Sequence, residues 1–139
     1  MSNKTDALKT LHTHLIDSVD GYQQAHDNMN GEHKAFIERC LSERRGFHDT
    51  LHTQLAQDGI ETDESGSTAA AAHRVIFNIR DAISSGDAGI MAECARGDSH
   101  LKSAYDDAID QTKGEPGYDF LTEQRAKVEA AVKEAETLS

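Results

Sequence analysis

Apolar residues recur along this chain at steps of three and four, the spacing that lays them on one face of a helix. Leu8, Leu11, Leu15, Val19 and Tyr22 trace one such face and predict a helix over 5–28. Phe36, Cys40, Phe47, Leu51 and Leu55 trace a second over 32–57, widened by Ile37 and Leu41. A shorter third helix is predicted over 68–84, opening on the run Ala69 to Ala72 and turning Val75, Ile76, Ile79 and Ile83 inward. Ile90, Cys94, Gly97, Leu101, Ala104, Tyr105 and Ala108 mark a fourth over 87–112. Phe120, Leu121, Gln124, Val128, Ala131, Val132 and Ala135 mark the last, over 118–138. Glycine and polar clusters separate these segments. They are Asn28 to Gly31, Asp58-Gly59, Ser84 to Asp87, and the strong break at Lys113-Gly114-Glu115-Pro116-Gly117. Gly59 suits a helix C-terminus, and Ser65 or Ser67 can cap the third helix. No stretch alternates apolar and polar residues as a strand does.

The predicted fold class is therefore all-α. Four of the helices have about 20 to 26 residues, or roughly 30–39 Å, which is bundle length. The short breaks near residues 30 and 115 fold the first and second helices, and the fourth and fifth, into two helical hairpins. A long connection between them contains the short third helix, which carries the chain back along the bundle. That crossover belongs to ferritin-like four-helix bundles rather than plain up-and-down ones. At 139 residues the chain suits a single domain spanning 1–139 and hides enough surface to fold without metal or disulfide.

Charge narrows the choice of partner. There are 25 acidic and 14 basic side chains, for a net charge of −11. This argues against duplex nucleic acid and anionic lipid surfaces, both of which need clustered Lys and Arg. No run of about 20 apolar residues marks a membrane span, and the polar opening MSNKTDALKT is unlike a signal peptide. Two cysteines far apart in sequence, Cys40 and Cys94, fit a reducing cytoplasm, so a cytoplasmic location is expected.

Several short runs are family-like. Asp17-Ser18-Val19-Asp20-Gly21-Tyr22 forms a D-x-x-x-G-[YF] element. Ser65-Gly66-Ser67 is followed by His73-Arg74 and Asn78-Ile79. Ile90-Met91-Ala92-Glu93-Cys94-Ala95-Arg96-Gly97-Asp98 is followed by Tyr105 and Ala108. Together these resemble the signature of a bacterial ferritin-like four-helix-bundle family labelled domain of unknown function 2383. The resemblance implies a ferritin-like bundle, bacterial and cytoplasmic, and implies no particular activity. Its signature positions here are Asp17, Gly21, Tyr22, His73, Arg74, Glu93, Cys94, Gly97, Asp98 and Tyr105.

A di-iron carboxylate bundle draws Glu from two helices and Glu-x-x-His from the other two. No Glu-x-x-His occurs here. The nearest substitute, Asp49-x-x-His52, lies opposite the apolar stripe of its helix and is expected to face solvent. Asp17 is expected to point away from the core. Glu43 is the carboxylate expected on an inner face, with Glu93 and Asp98 flanking the stripe of the fourth helix. These three are the candidate metal residues. As a structural alternative, Glu43 is a buried acid paired with Arg44, Arg96 or Arg125. His48 and His52, one helical turn apart, would chelate a divalent ion on the surface but only weakly without a third ligand. His12 and His14, two apart, do not share a face, and His73 is expected to bond a neighbouring helix. Cys40 and Cys94 are expected to act as small buried hydrophobes. Tyr22 and Tyr105 turn inward, where their hydroxyls need partners; Asp17 or Asp20 is a candidate for one of them.

The reading that follows is a non-enzymatic ferritin-like bundle with a structural or stress-related role, no cofactor, no catalytic residues and no identified small-molecule substrate. The wide apolar sector of the second helix suggests a homodimer. Two rivals stand beside it. One is an iron- or manganese-binding ferritin-like oxidoreductase or storage protein. The other is an acidic adaptor for a basic partner.

Overall fold

The computed structural model describes residues 3–29, 31–62 and 79–138. Among these, four long helices pack together and no strand is present. α1 (Asn3–Asn28) is followed by α2 (Lys34–Gln57). A short α3 (Ile79–Ala82) passes through a 3-10 turn, Ile83–Ser85, into α4 (Gly86–Gln111). A second 3-10 turn, Pro116–Tyr118, precedes α5 (Phe120–Leu138). The four long helices begin and end within two residues of the expected limits. Gly59, at φ +75°, lets the chain leave α2, where the Ile60 N–H donates to Leu55 O at 2.9 Å. Gly86, at φ +76°, turns the chain into α4.

Most of the expected third helix lies outside the described residues, together with Ser65, Ser67, the alanine run, His73, Arg74, Val75 and Ile76. Its described end departs from expectation in one respect. Ile79 is buried, but Ile83 is 39% exposed rather than inward, because the chain tightens to a 3-10 turn there and loses the 3.6-residue register.

Contacts show which helix ends meet. At one end Lys4 pairs with Glu115 at 2.6 Å, and the Tyr118 hydroxyl donates to Asp58. At the other, His26 lies 3.0 Å from Glu38, and Arg39 pairs with Glu134 at 2.6 Å. Gly31 also sits there, where an added Cβ would stand 2.5 Å from the Asp87 carboxylate.

The core falls into two apolar clusters along the bundle. One gathers Leu8, Leu11, Leu15, Phe47, Leu51, Leu55, Leu101, Tyr105, Leu121 and Val128. The other gathers Tyr22, Met29, Phe36, Ile37, Cys40, Leu41, Ile79, Ile90, Met91 and Cys94. Ile37 and Leu41, which widened the apolar sector of α2, are therefore used inside the chain. The homodimer expectation no longer has an exposed α2 sector behind it.

Between the clusters the stripes turn polar. On α1 the buried series runs Leu11, Leu15, Ser18, Tyr22. On α2 it runs Phe36, Cys40, Arg44, Phe47, Leu51. On α4 it runs Met91, Cys94, Asp98, Leu101, Tyr105. Each step is three or four residues, so Ser18, Arg44 and Asp98 occupy core positions although none is apolar. This corrects three expectations. Glu43, expected squarely inward, is 31% exposed, because the stripe passes through Arg44. Asp98, expected at a flank, is fully buried. Asp17, expected to point away, is buried beside Ser18.

Candidate functional site

Two clusters of polar side chains stand out, one at mid-bundle and one on its flank. At mid-bundle the Arg44 and Asp98 side chains are 0% and 1% exposed. Arg44 Nη2 donates to Asp98 Oδ2 at 2.7 Å, and the Tyr22 hydroxyl donates to the same oxygen at 2.5 Å. The guanidinium also lies over the Tyr22 and Phe47 rings, 5.3 and 5.8 Å from their centroids, where the ring faces favour a cation. Arg44 Nη1 makes a longer contact, 3.4 Å, with Glu43 Oε1. Both donors serve one carboxylate oxygen, and Asp98 Oδ1 and Arg44 Nε have no hydrogen-bond partner. Burial therefore pushes the Asp98 carboxyl up, against the pull of Arg44 and Tyr22. Burial opposes the charge on Arg44, but Asp98 together with Tyr22, Cys40 and Glu43 outweighs it and holds the guanidinium firmly protonated.

Around this pair the ionisable groups are held neutral. Burial raises Tyr22 well above the usual phenol range, and Asp98 adds to the shift. Cys40 and Cys94 are free and buried. Burial pushes the Cys40 thiol from 9.0 up to about 11 and raises Cys94 well above its usual value. Thiols so placed are poor nucleophiles and pack as hydrophobes. The Tyr105 hydroxyl donates to Gln124 Oε1 at 2.7 Å, two helical turns along α4 from Asp98.

The flanking cluster joins α1 to α2. His12 is buried, while His48 and His52 are partly exposed. One nitrogen from each of the three rings lies within 4.8 Å of the others. His12 Nε2 is 3.2 Å from His52 Nδ1. Ring centroids are 4.9 Å apart for His12 and His48, 5.4 Å for His12 and His52, and 5.6 Å for His48 and His52. His48 Nδ1 stands 3.0 Å from Asp49 Oδ1, and Thr62 Oγ1 stands 3.3 Å from His52 Nδ1. Among the described residues, this is the group of His, Cys, Asp or Glu whose donor atoms converge closely enough to hold a metal ion.

The acidic candidates do not come together in that way. Glu93 bonds Arg96 one turn along α4, at 2.8 and 2.5 Å. Asp98 is taken by Arg44 and Tyr22, and Glu43 lies at the rim. The expected buried ion pair exists and involves Arg44, but its acid is Asp98 rather than Glu43. The Tyr22 hydroxyl likewise finds Asp98, not Asp17 or Asp20. His52, expected to face solvent, meets His12 instead. The signal for this third ligand was present. Folding the chain about residue 31, the middle of the α1–α2 connection, brings position 12 opposite position 50, between His48 and His52.

These features define an all-helical bundle with a polar mid-section and a histidine cluster on one flank. The chain belongs to the family Domain of unknown function (DUF2383), which matches residues 3–111. That span includes α1, α2 and α4 with both polar clusters, and stops short of α5. No curated protein and no solved structure matches the chain.

Proposed function

We propose that this is a ferritin-like bundle in which a protein ion pair replaces the central metal site, and that it serves a non-enzymatic, structural role. The topology rests on the end contacts. α1 ends where α2 begins, and α2 ends beside the start of α5. α4 starts beside the α1–α2 connection. The end of α2 and the start of α4 therefore lie at opposite ends of the bundle, roughly 36 Å apart for a helix the size of α2, which supports a crossover topology.

One observation carries the functional reading: Arg44 is buried at mid-bundle with Asp98 as its counter-charge. Di-metal bundles place converging carboxylates and histidines on facing helices at their core. Here the corresponding stripe positions carry Ser18, Arg44 and Asp98. The guanidinium already supplies the positive charge that the buried carboxylate needs. A divalent ion 4 Å from it would meet repulsion on the order of 8 kcal/mol at an effective dielectric of about 20.

The test is oxygen-dependent oxidation of Fe(II) or Mn(II) by protein purified without a histidine tag, followed by metal analysis. The expected result is no oxidation above the protein-free rate. Two iron or manganese ions per chain, lost in Glu43→Ala, would overturn the reading.

A further inference from the structure

We propose that His12, His48 and His52 form a mononuclear site for a divalent ion of the zinc type, held between α1 and α2 and separate from the ion pair at the centre. The donors come from two helices. His48 and His52 are one turn apart on α2, so both project from the same face. His12 projects from α1 across the seam and converts a surface pair into a three-nitrogen set.

The spacing is close to what an ion demands. Zinc binds imidazole nitrogen at about 2.0–2.1 Å with tetrahedral geometry, so its ligand nitrogens stand roughly 3.3–3.4 Å apart. The His12–His52 separation is already 3.2 Å. The remaining separations are at most 4.8 Å, so the donors need to close by no more than about 1.5 Å to reach zinc-ligand spacing.

Two further features suit a metal. His48 Nδ1 lies 3.0 Å from the carboxylate of Asp49, a neighbour whose side chain is 79% exposed, and a carboxylate there favours the tautomer protonated on Nδ1. A carboxylate behind a ligating histidine is the usual arrangement at zinc sites. The His48 side chain is 18% exposed, which gives an ion a way in. Tetrahedral zinc takes a fourth ligand beyond these three described residues, and the Thr62 hydroxyl stands at the edge of the cluster.

The donor set also selects the ion. Imidazole suits zinc, copper(II), nickel and cobalt, whereas magnesium, calcium and manganese prefer oxygen ligands. The three ligand positions carry neither a thiolate nor a carboxylate. The acidic chain, at −11, attracts cations of either kind, so charge alone does not account for the selectivity expected.

The experiment is calorimetric titration of full-length, tag-free protein with zinc chloride, repeated with cobalt(II) for its visible absorption and with magnesium as a negative control. The expected result is one zinc per chain, a tetrahedral cobalt spectrum and no magnesium binding. His12→Gln should lower zinc affinity at least 100-fold, and Asp49→Asn 10- to 100-fold. His26→Gln, about four turns and roughly 21 Å along α1 from His12, should leave it unchanged. His48→Gln, at a partly exposed position, should lower affinity as His12→Gln does and keeps the test decisive if the buried variant does not fold. Unchanged affinity in His12→Gln would reduce the cluster to a surface pair and overturn the proposal. So would unchanged affinity in His48→Gln, or equal binding of magnesium.

Discussion

Replacing Asp98 by Asn tests the mid-bundle pair with the least steric change. The two side chains are nearly the same size, so the variant leaves no cavity. It removes the negative charge from Arg44, whose side chain is 0% exposed and whose other carboxylate contact, Glu43, is 3.4 Å away at the rim. An uncompensated buried charge costs about 3–5 kcal/mol. A domain of this size has a total stability of about 5–15 kcal/mol, so the loss is a large share of it. The melting temperature should fall by roughly 6–20 °C, at about 2–4 °C per kcal/mol. Urea unfolding followed by helical circular dichroism measures the change, with an unchanged denaturant slope showing that the native state stays compact. The triple variant Tyr22→Phe, Arg44→Met, Asp98→Leu removes every polar member at once. It should recover most of the loss, because burying two charges costs about as much as their attraction returns. A loss below about 1 kcal/mol in Asp98→Asn, or a triple variant as unstable as the single one, would refute the claim that Arg44 depends on Asp98.

The other predictions concern the neighbouring layers. Because burial raises the Cys40 thiol from 9.0 to about 11, the unfolded chain loses that proton at lower pH than the native state. Stability should therefore fall as pH rises from about 9 through 11, by roughly 2–3 kcal/mol for this thiol; Cys40→Ala should flatten the slope of urea midpoint against pH, and an unflattened slope would count against the assignment. Cys94 and Cys40 should both resist a thiol reagent at pH 8 until urea unfolds the chain; rapid native labelling of either would contradict their burial. Tyr105→Phe should cost about 1–3 kcal/mol by leaving Gln124 Oε1 buried without its donor, read as a lower urea midpoint.

The fold was legible in the sequence because its helices are bounded by local chemistry. Asn28 to Gly31, Asp58-Gly59, Gly86 and the Gly-Pro-Gly region each end or turn a helix through their own backbone preferences, and the limits hold to within two residues. The interior was legible only where it was apolar. A stripe traced by counting hydrophobic residues steps over any charged residue that stands on it, so the count sets Glu43 rather than Arg44 inward and leaves Asp98 at a flank. Burial of an ion pair depends on both partners arriving at one layer from helices 54 residues apart, and no local propensity encodes that meeting.

The histidine cluster illustrates the same limit differently. Each of its members sits one residue beyond a buried leucine or phenylalanine: His12 after Leu11, His48 after Phe47, His52 after Leu51. Viewed on one helix, such a position is about 100° from the core and reads as solvent-facing. In an antiparallel pair the flank of one helix faces the flank of the next, so two positions that look exposed separately close over each other. The α1–α2 connection sets how far along they meet, and it sets His12 against the His48–His52 turn. Lengthening that connection by one residue beside Gly31 leaves each helix's own stripe intact. What it shifts is the register between them. The three-nitrogen geometry therefore depends on a loop that contains none of its ligands.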